Sequence, residues 1–571
     1  MENNLLTGAE ILMRSLEAEG VEVLFGYPGG AIMPAYDALY DHGGRLHHVL
    51  VRHEQAAAHA AEGYARVSGR VGVCLVTSGP GATNTITGIA DAMMDSTPIV
   101  VICGQVGAGL LGSDAFQECD VVDVTQPVTK WAYQIRRADD VAQAVSRAFY
   151  IARSGRPGPV VLDFTKTAQT ELAEYRPARV DFIRSYVPVP PTPPEAIEQA
   201  AALIGGAARP LVLVGQGVLL GGAQEELRRF VERLDAPAGC TLLGLSALPS
   251  RHPLNMGMLG MHGALSLNRK TQECDVLIAV GMRFDDRITG RLSTYARQAM
   301  KVHFDIDPAE LGKNVEVDVA VPGDCKATLA AVTELLPQCD HRAWRESFRP
   351  HAEEEERIVV RPQVSPEEGP VRMAEVVARL AEATGGDAIV VTDVGQNQMF
   401  AARYSRFNEP RSFVTSGGMG TMGFGLPAAI GACFADTRPV CLFVGDGGLQ
   451  MTLEELGTIM EQGAPVKIIL LNNNYLGNVR QWQALFFRRR YSFTPMSNPD
   501  YEKIAEAYGI PALTVTERAA LDEGIGRMLQ MPGPFLLQVA VMEDDNVLPM
   551  CCPGSDVDDM LLSVGPAETQ K

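Results

Sequence analysis

Residues 440–474, VCLFVGDGGLQMTLEELGTIMEQGAPVKIILLNNN, decide the fold of this chain. One apolar run, residues 440–444, leads into a Gly-Asp-Gly-Gly turn, and a second run, residues 466–471, leads into three asparagines. The residues between them, 452–462, have the apolar spacing of a helix. Strand, helix and strand in this order predict two neighbouring parallel strands of a buried sheet.

Two polar residues follow these predicted strands, Asp446 and Asn473. Parallel strands present their carboxyl ends at one edge of a sheet, so these side chains should lie close together. A carboxylate and an amide oxygen are ligands that suit Mg²⁺, which keeps further positions for a backbone carbonyl, water and phosphate oxygens. The Gly-Asp-Gly turn is weak evidence alone, but the 24 residues between it and Asn472 make the pattern more specific.

The same alternation of apolar strands and helical patterns runs through the whole chain. Further predicted strands are residues 71–77, 99–103, 210–214, 276–280 and 388–392. Two stretches predict linkers: residues 187–194, VPVPPTPP, and the acidic, proline-containing residues 353–370. We therefore expect an α/β protein with three doubly wound parallel-sheet domains, at residues 1–185, 195–345 and 370–571.

Composition excludes several classes of protein. The 571 residues include 49 Lys and Arg against 69 Asp and Glu, and this net charge of −20 argues against a nucleic-acid partner. No apolar stretch approaches about 18 residues, so we expect no membrane span, and the first residues do not resemble a secretory signal. The 11 cysteines are scattered without C-x-x-C spacing, which is typical of free thiols in a cytoplasmic protein.

A second motif lies near the start of the chain. Residues 52–70, RHEQAAAHAAEGYARVSGR, predict an Ala-rich helix with Glu54 at its amino-terminal end, and residues 77–84, TSGPGATN, form a turn after the next strand. A lone glutamate at a helix start ordinarily only compensates the helix dipole. Together, however, these stretches resemble the pyrimidine-binding domain of enzymes that depend on thiamine diphosphate. Residues 440–474 resemble the diphosphate- and metal-binding fingerprint of the same enzymes.

This resemblance implies roles for residues of the first and third domains. Glu54 would bond nitrogen N1′ of the pyrimidine, so that the coenzyme can act as its own base. Met422, in the Gly-rich turn 416–423, would support the bent coenzyme, and Asp446, Asn473 and Tyr475 would bind Mg²⁺. The other implied coenzyme contacts are Pro28, Gly29, Gly30, Thr77, Asn84, Gly395, Gln396, Asn397, Gly420, Gly447, Gly448, Leu476 and Gly477.

The middle segment narrows the family. It carries the motifs GQG at 215–217, GMHG at 260–263, GMRFDDR at 281–287 and DIDP at 305–308. Each alone is weak evidence, since acidic residues after strands also cap helices. Together they resemble the FAD-binding domain of the acetohydroxyacid synthase (acetolactate synthase) catalytic subunits, and the resemblance covers about residues 5–553. The implied FAD contacts are Arg156, Gly215, Gly217, Met261, His262, Gly281, Arg283, Asp285, Arg287, Asp305, Ile306, Asp324, Gly417 and Gly418.

Members of that family condense two 2-oxo acids. Pyruvate loses CO₂ on the coenzyme, and the remaining two-carbon unit joins a second pyruvate or 2-oxobutyrate to give 2-acetolactate or 2-aceto-2-hydroxybutyrate, the first common step of branched-chain amino acid biosynthesis. The resemblance assigns Arg287 to the carboxylate of the second substrate and Trp482 to its ethyl side chain. It also assigns catalytic or substrate contacts to Gly30, Ala31, Phe116, Gln117, Lys166 and Met261. FAD would be structural, because the reaction transfers no net electrons.

Assembly and alternatives follow from the same resemblance. Glu54 and Asp446 lie in different predicted domains, and in this family the active site forms between two subunits. This implies a homodimer or homotetramer, and some members also bind a small regulatory subunit. The alternatives are another thiamine diphosphate enzyme, such as pyruvate oxidase, or a cofactor-binding regulator that kept the fold. Glyoxylate carboligase is disfavoured, because its family lacks the glutamate that Glu54 supplies.

The chain departs from the family pattern at several positions. Thr165 and Thr167 replace Pro and Asp beside Lys166, Asn397 and Phe400 replace His and Trp, Gly448-Leu449 replaces Ser-Phe, and Asn478 replaces Met. None of these changes removes a predicted metal ligand, Glu54, Arg287 or Trp482. The changes at Asn397, Gly448 and Asn478 lie in the diphosphate region, where we expect them to affect coenzyme affinity and substrate preference.

Overall fold

A computed structural model describes residues 5–564 of the chain. Within this range there are three six-stranded sheets, and every strand pairing inside them is parallel. The predicted fold class, α/β with three parallel-sheet domains, is confirmed. The limits at residues 1–185, 195–345 and 370–571 remain our proposed division.

The first domain contains the amino-terminal sheet and a short antiparallel pair. Its strands are β1 Leu5–Thr7, β2 Val23–Gly26, β3 His47–Leu50, β4 Gly72–Val76, β5 Ile99–Gln105, β6 Trp131–Ile135, β7 Val160–Thr165 and β8 Leu172–Glu174. Its helices are α1 Gly8–Ala18, α2 Met33–His42, α3 Glu54–Ser68, α4 Pro80–Thr83, α5 Ile86–Met94, α6 Val121–Thr125, α7 Val141–Arg153 and α8 Lys166–Thr170. The sheet order is β3-β2-β4-β5-β7-β6, and β1 pairs with β8.

The middle domain has its own sheet. Its strands are β9 Pro210–Val214, β10 Ala238–Cys240, β11 Asn255–Met258, β12 Val276–Val280, β13 Met300–Asp305 and β14 Val319–Pro322. Its helices are α9 Pro194–Gly205, α10 Gly217–Leu220, α11 Gln224–Leu234, α12 Leu265–Thr271, α13 Asp286–Thr289 and α14 Cys325–Leu335. The sheet order is β11-β10-β9-β12-β13-β14.

The connection to the third domain differs from our expectation of an irregular linker at residues 353–370. It is helical, with α15 Arg342–Glu346, α16 Arg349–Glu355, a π-helical turn at Glu356–Val360 and α17 Arg361–Val364. Its acidic residues misled the prediction, because Glu355 is not solvated: it is buried and pairs with Arg403. Val359 and Gln363 are buried as well, so this connection packs against the domains rather than spanning solvent.

The third domain completes the described chain. Its helices are α18 Met373–Ala383, α19 Gln396–Tyr404, α20 Gly425–Cys433, α21 Asp446–Met451, α22 Leu456–Gln462, α23 Gly477–Phe486, α24 Tyr501–Ala507 and α25 Leu521–Gln530. Its strands are β15 Ile389–Thr392, β16 Phe413–Val414, β17 Val440–Gly445, β18 Lys467–Asn472, β19 Ala512–Val515, β20 Phe535–Ala540, β21 Met550–Cys551 and β22 Met560–Leu561. The sheet order is β16-β15-β17-β18-β20-β19, and β21 pairs with β22.

The three sheets follow two topologies. Numbered within each domain, the order is 2-1-3-4-6-5 in both the first and the third sheet, whereas it is 3-2-1-4-5-6 in the middle sheet. The second order is that of sheets that bind dinucleotides where the strand order reverses. In all three, ligands are expected beyond the carboxyl ends of the strands.

The first and third domains meet through two small-residue helices, α3 and α20. A Cβ atom at Gly63 would lie 2.1 Å from the carbonyl oxygen of Ala428, and one at Gly431 would lie 1.9 Å from that of Ala60. The two backbones therefore touch, which only glycine permits at these positions. The alanines of α3 serve this packing as well as helix formation, since Ala57, Ala60 and Ala61 are fully buried.

Two further observations concern the described residues as a whole. None of the helices between residues 5 and 564 combines the length and apolar character needed to cross a membrane. The 11 cysteines are all free thiols in this range.

Candidate active site

A groove lies at the carboxyl edge of the third sheet, where β17 and β18 end. The two strands are direct neighbours, with Gly445 paired to Leu471, so Asp446 and Asn473 emerge side by side as the spacing predicted. The groove is lined by Met373, Val394, Gly395, Gln396, Asn397, Met422, Gly445, Asp446, Gly447, Gly448, Asn473, Tyr475, Leu476, Gly477, Asn478 and Val479. These residues include most of those predicted to contact the diphosphate and metal. Gly420 lies outside this lining, on the turn that presents Met422.

Two hydrogen bonds hold the carboxylate of Asp446 in place at the groove. Its Oδ2 accepts a 2.7 Å hydrogen bond from Asn498 Nδ2, and its Oδ1 accepts one of 3.1 Å from the Gly447 N–H. Burial raises the pKa of this carboxyl. A divalent ion beside it would oppose that effect and favour the ionised form. Asn473 Oδ1 faces the same corner and accepts only a 3.3 Å bond from the Tyr475 N–H. These oxygens fit Mg²⁺.

The groove also suits an anion. Helices α19 and α23 both begin at its wall, and neither has a side chain capping its amino terminus. Free N–H groups and the helix dipole at such ends bind phosphate. Two of its glycines permit close packing of the wall: a Cβ at Gly448 would lie 2.3 Å from Asp393 Oδ1, and one at Gly477 would lie 2.2 Å from Gln396 Oε1.

Asp393 fixes the turn that carries Met422. Its Oδ2 accepts hydrogen bonds from the N–H groups of Gly423 and Gly425, at 2.9 and 3.0 Å. The carboxyl is fully buried, and burial raises its pKa. Met422 is thereby held at the wall of the groove, where the resemblance placed it under the coenzyme.

Glu54 heads a separate cluster in the first domain. It is the first residue of α3 and is half-buried, and its Oε2 accepts a 2.9 Å hydrogen bond from Asn84 Nδ2. Thr77 lies beside it, and a Cβ at Gly29 would approach the Thr77 side chain to 2.5 Å. Pro28, Gly29, Gly30, Thr77 and Asn84 thus share one edge of the first sheet.

The other predicted residues of the first domain lie on the same face. Lys166 Nζ donates to the carbonyl of Gly30 at 3.4 Å, and Gln169 Nε2 donates to that of Ala31 at 2.7 Å. Gln117 has a left-handed backbone (φ +61°) and packs against Gly79. The neighbouring Phe116 is 87% exposed.

Within one chain the structure keeps these two groups apart. Every described residue that lines the groove belongs to residues 373–479, and none comes from the first domain. Glu54 and its neighbours therefore do not line the groove of their own chain.

A second and larger cavity, about 430 Å³, opens at the carboxyl edge of the middle sheet. Of the predicted FAD contacts, it is lined by Arg156, Gly217, Gly281, Arg283, Asp285, Arg287, Asp305, Ile306, Asp324 and Gly417. The strand order of this sheet fits a dinucleotide, and Gln216 offers a buried Nε2 without a partner on the cavity wall. Burial raises the pKa of Asp305 to about 7.

Four predicted FAD residues do not line this cavity. Gly215 lies beneath it, where a Cβ would come within 2.0 Å of the Gly281 carbonyl oxygen. Gly418 faces the first domain, and its N–H donates to Asp95 Oδ1 at 2.7 Å. His262 is buried with Nδ1 3.4 Å from the Pro549 carbonyl, and Met261 joins a different cluster.

That cluster joins the middle and third domains. The Arg287 guanidinium lies 5.6 Å from the centre of the Trp482 ring, and its Nη1 is 3.4 Å from Met261 Sδ. The Met261 N–H donates to the Arg287 carbonyl at 2.7 Å. Arg287 also lines the large cavity, and Val479, on the same helix as Trp482, lines the groove. An exposed cation beside a flat apolar ring is thus placed between the two cavities.

Comparison with known proteins agrees with this architecture. Residues 6–124, 197–332 and 393–539 match, in turn, the N-terminal TPP binding domain, the central domain and the C-terminal TPP binding domain of thiamine pyrophosphate enzymes. The chain is 44% identical to the acetolactate synthase isozyme 2 large subunit of Escherichia coli, over 97% of this chain and 99% of that one. It is 44% identical to the acetolactate synthase large subunit of Corynebacterium glutamicum, over 98% and 91% of the two chains.

The chain belongs to the acetolactate synthase family. The first and third domains are therefore its thiamine pyrophosphate-binding domains. The similarity extends to archaea, since the probable acetolactate synthase large subunit of Methanocaldococcus jannaschii is 43% identical over 96% of this chain and 94% of that one.

Some site residues of this family member escaped the sequence analysis. Asn498 bonds the predicted metal ligand Asp446, and Gln481 and Asp545 hold Gln396, whose Nε2 donates to Gln481 Oε1 at 3.1 Å and to the Asp545 carbonyl at 2.8 Å. These residues lie 52 to 149 positions from their partners, so no local motif marks them. Arg480 is likewise buried, and its guanidinium donates to the Asp545 carbonyl and to Asn546 Oδ1.

Proposed function

We propose that the chain is an acetolactate synthase that decarboxylates pyruvate and transfers the remaining two-carbon unit to a second 2-oxo acid. With pyruvate as acceptor the product is 2-acetolactate, and with 2-oxobutyrate it is 2-aceto-2-hydroxybutyrate, which makes this the first common step of branched-chain amino acid biosynthesis. The observation that carries the proposal is the cluster of Arg287, Met261 and Trp482. A cation beside an apolar ring, next to the diphosphate groove, is what an acceptor with a carboxylate and a short alkyl chain requires.

The groove would hold the coenzyme by its diphosphate. Asp446, Asn473 and the main-chain carbonyl of Tyr475 would bind Mg²⁺, which in turn takes phosphate oxygens. The amino-terminal ends of α19 and α23 would bind the remaining phosphate charge. Thiamine diphosphate, when bound, supplies the carbon nucleophile and the electron sink for loss of CO₂.

Glu54 would hold a proton at nitrogen N1′ of the coenzyme's pyrimidine, which favours deprotonation at the reactive carbon. Within one chain Glu54 does not line the groove, so we propose that the carboxylate comes from a second copy. We therefore propose a homodimer as the smallest active unit, with a homotetramer as a further assembly. The exposed Phe116 supports this, because a second subunit would cover its ring.

The acceptor would bind between subunits as well as between domains. Arg287 would hold its carboxylate, while Trp482 would pack against its alkyl end and favour the extra methylene of 2-oxobutyrate by about 1–3 kcal/mol at most. From the second copy, Gly30, Ala31, Phe116, Gln117 and Lys166 would close the other side of the pocket. Exclusion of water by these side chains favours decarboxylation, because negative charge disperses as CO₂ leaves.

The large cavity of the middle domain would bind FAD in a structural role. Its strand order, its unpartnered Gln216 amide and the side chain of Arg156 suit the dinucleotide. The proposed reaction has no net electron transfer, so no redox step is assigned to this cofactor.

The free thiols support a cytoplasmic location. The relatives are named as large subunits, which supports a small regulatory subunit as a further partner.

A product assay tests the proposal. The purified chain, supplied with thiamine diphosphate, Mg²⁺ and FAD, is incubated with pyruvate alone and with pyruvate plus 2-oxobutyrate. We expect 2-acetolactate in the first case and both acetohydroxy acids in the second. Formation of acetate with hydrogen peroxide, or of acetaldehyde alone, would instead assign the chain to an oxidase or a simple decarboxylase.

A further inference from the structure

A buried ion pair joins the third domain to the connection that precedes it. Arg403 lies in the last turn of α19, and Glu355 is the last residue of α16. Both side chains are more than nine-tenths buried, and Arg403 Nη2 donates to Glu355 Oε1 at 2.5 Å. Burying an ion pair this deeply is costly unless further hydrogen bonds offset the loss of water. The other hydrogen bonds of Arg403 and Glu355 therefore show which segment the pair holds.

Those contacts converge on one turn of the middle domain. Arg403 Nη1 donates to the carbonyl oxygens of His262 and Gly263, at 2.5 and 3.1 Å. Glu355 Oε2 accepts the Leu265 N–H at 2.7 Å, at the start of α12. Residues 262–265 are therefore clamped from both sides by one cation and one anion.

The clamped turn continues directly into the cluster of Arg287, Met261 and Trp482. Met261 precedes His262, its N–H donates to the carbonyl of Arg287, and its Sδ receives Arg287 Nη1. Its own carbonyl accepts the Cys551 N–H at 2.7 Å. A shift of residues 262–263 would move Met261, and with it both the backbone and the guanidinium of Arg287.

Helix α19 also connects this turn to the coenzyme groove. Its first residue, Gln396, lines the groove, while Arg403 lies two helical turns away at the turn of the middle domain. One rigid element therefore sets both the diphosphate wall and the acceptor turn. Arg403 is thus placed to align the acceptor-binding residues with the coenzyme groove.

We propose that Arg403 and Glu355 are positioning residues, which hold the Met261–Gly263 turn so that Arg287 meets the carboxylate of the acceptor 2-oxo acid. This inference rests on the proposed function, because it needs an acceptor with a carboxylate. Neither side chain touches the side chains of that cluster, so both act through the Met261–Gly263 turn. Guanidinium is suited to this task, since its planar fork reaches two carbonyls and a carboxylate at once.

Substitution of Arg403 by Gln tests the proposal. The change leaves Glu355 buried without its cation and leaves the His262 and Gly263 carbonyls with one weaker donor. At fixed saturating pyruvate, we expect the apparent KM for 2-oxobutyrate to rise by about tenfold, while kcat changes less than about threefold. The midpoint of thermal unfolding should also fall, because an unpaired buried charge remains.

A double variant separates positioning from stability. Arg403→Met with Glu355→Gln removes both charges, so the thermal midpoint should recover most of the loss. The hydrogen bonds to His262 and Gly263 stay absent, so the raised KM for 2-oxobutyrate should persist. A KM that recovers together with the thermal midpoint would overturn the positioning role and leave only a structural one.

Arg518→Gln provides a matched control. Arg518 bonds the buried Glu375, which keeps a second cation in Arg379, and this cluster has no contact with residues 260–265. We expect a lower thermal midpoint with an unchanged KM for 2-oxobutyrate. A KM shift of similar size in this control would contradict the proposal. If the unmodified enzyme forms no acetohydroxy acid, the proposed function fails instead, whatever the variants do.

Discussion

The first and third domains share one strand order but present different chemistry at the same edge. The third strand of the first sheet leads into Thr77-Ser78-Gly79, whereas that of the third sheet ends at Gly445 and leads into Asp446-Gly447. In the third domain this turn, with Asn473, gives a groove that is complete within one chain. In the first domain the residue to which we assign the main role is Glu54, which is half-buried and bonded to Asn84. Topology thus sets where ligands bind, and a few residues set which ones.

This difference suggests a separate role for each of the two domains, coenzyme binding for one and coenzyme activation for the other. In our proposal, the oxygens and helix ends of the third domain would bind an ion and a diphosphate, so this domain would set coenzyme affinity. The first domain would add one carboxylate that polarises the coenzyme, so this domain would set its reactivity. Substitutions on the two sides should therefore fail in different ways, binding in one case and turnover in the other.

Asp446→Ala should have the largest effect. Loss of the carboxylate removes the only charged ligand proposed for Mg²⁺, so we expect thiamine diphosphate affinity to fall by at least roughly 100-fold, and turnover with it. Isothermal titration of the coenzyme in the presence of Mg²⁺ measures this directly. Coenzyme binding that survives the substitution would contradict the metal site.

Glu54→Gln should affect turnover rather than binding. The amide keeps the size of the side chain but cannot hold the proton at N1′ in the same way, so we expect turnover to fall by about 10²–10⁴-fold. Titration should show coenzyme affinity close to that of the unmodified enzyme. A variant that binds poorly, or turns over normally, would remove the contrast between the two domains.

Trp482→Leu should have a smaller effect, confined to the choice of acceptor. Loss of the flat ring removes packing against the ethyl group, so we expect the preference for 2-oxobutyrate over pyruvate to fall by about tenfold or more. Competition between the two acids, with both products quantified, measures the ratio. Loss of total turnover with an unchanged ratio would place the tryptophan outside the acceptor pocket.

Asp91→Asn should have the smallest effect, on stability alone. Asp91 bonds the Ser416 hydroxyl at the contact between the two domains, and burial, followed by the charges of Glu62 and Asp95, raises its pKa to about 8. The folded state thus keeps a proton that the unfolded chain loses, so this carboxyl destabilises the fold as pH rises from about 4 to 8.

The asparagine cannot lose such a proton. We expect the variant to be more stable than the unmodified enzyme at pH 8 and similar to it near pH 4. Urea unfolding at the two pH values measures both. Equal differences at the two pH values would show that the ionisation of Asp91 does not contribute.

Local patterns predicted much of this molecule. Apolar runs gave the principal strands, and the spacing from Asp446 to Asn473 placed two oxygens side by side, because one helix and one strand leave few alternatives. The order of strands within each sheet was beyond the sequence, since it depends on pairings between distant segments. The same holds for the polar contacts of Asn498, Arg403 and Glu355, which join residues far apart in the chain.

Charge was the least reliable guide. The acidic run at residues 353–356 predicted a solvated linker, yet Glu355 is buried because a cation from α19 meets it. Arg480 is buried for the corresponding reason, with Asp545 and Asn546 as partners. Long charged side chains enter the interior only when partners from other segments meet them, and these partners leave no local signal.

The contact of main chain with main chain at Gly63 and Gly431 bears on protein engineering. No methyl group fits at either glycine. In a chimera of two relatives, α3 and α20 should therefore come from the same parent. The two glycines lie more than 360 positions apart in the chain. Recombination breakpoints between them would preserve each module and still separate the surfaces that let the modules dock.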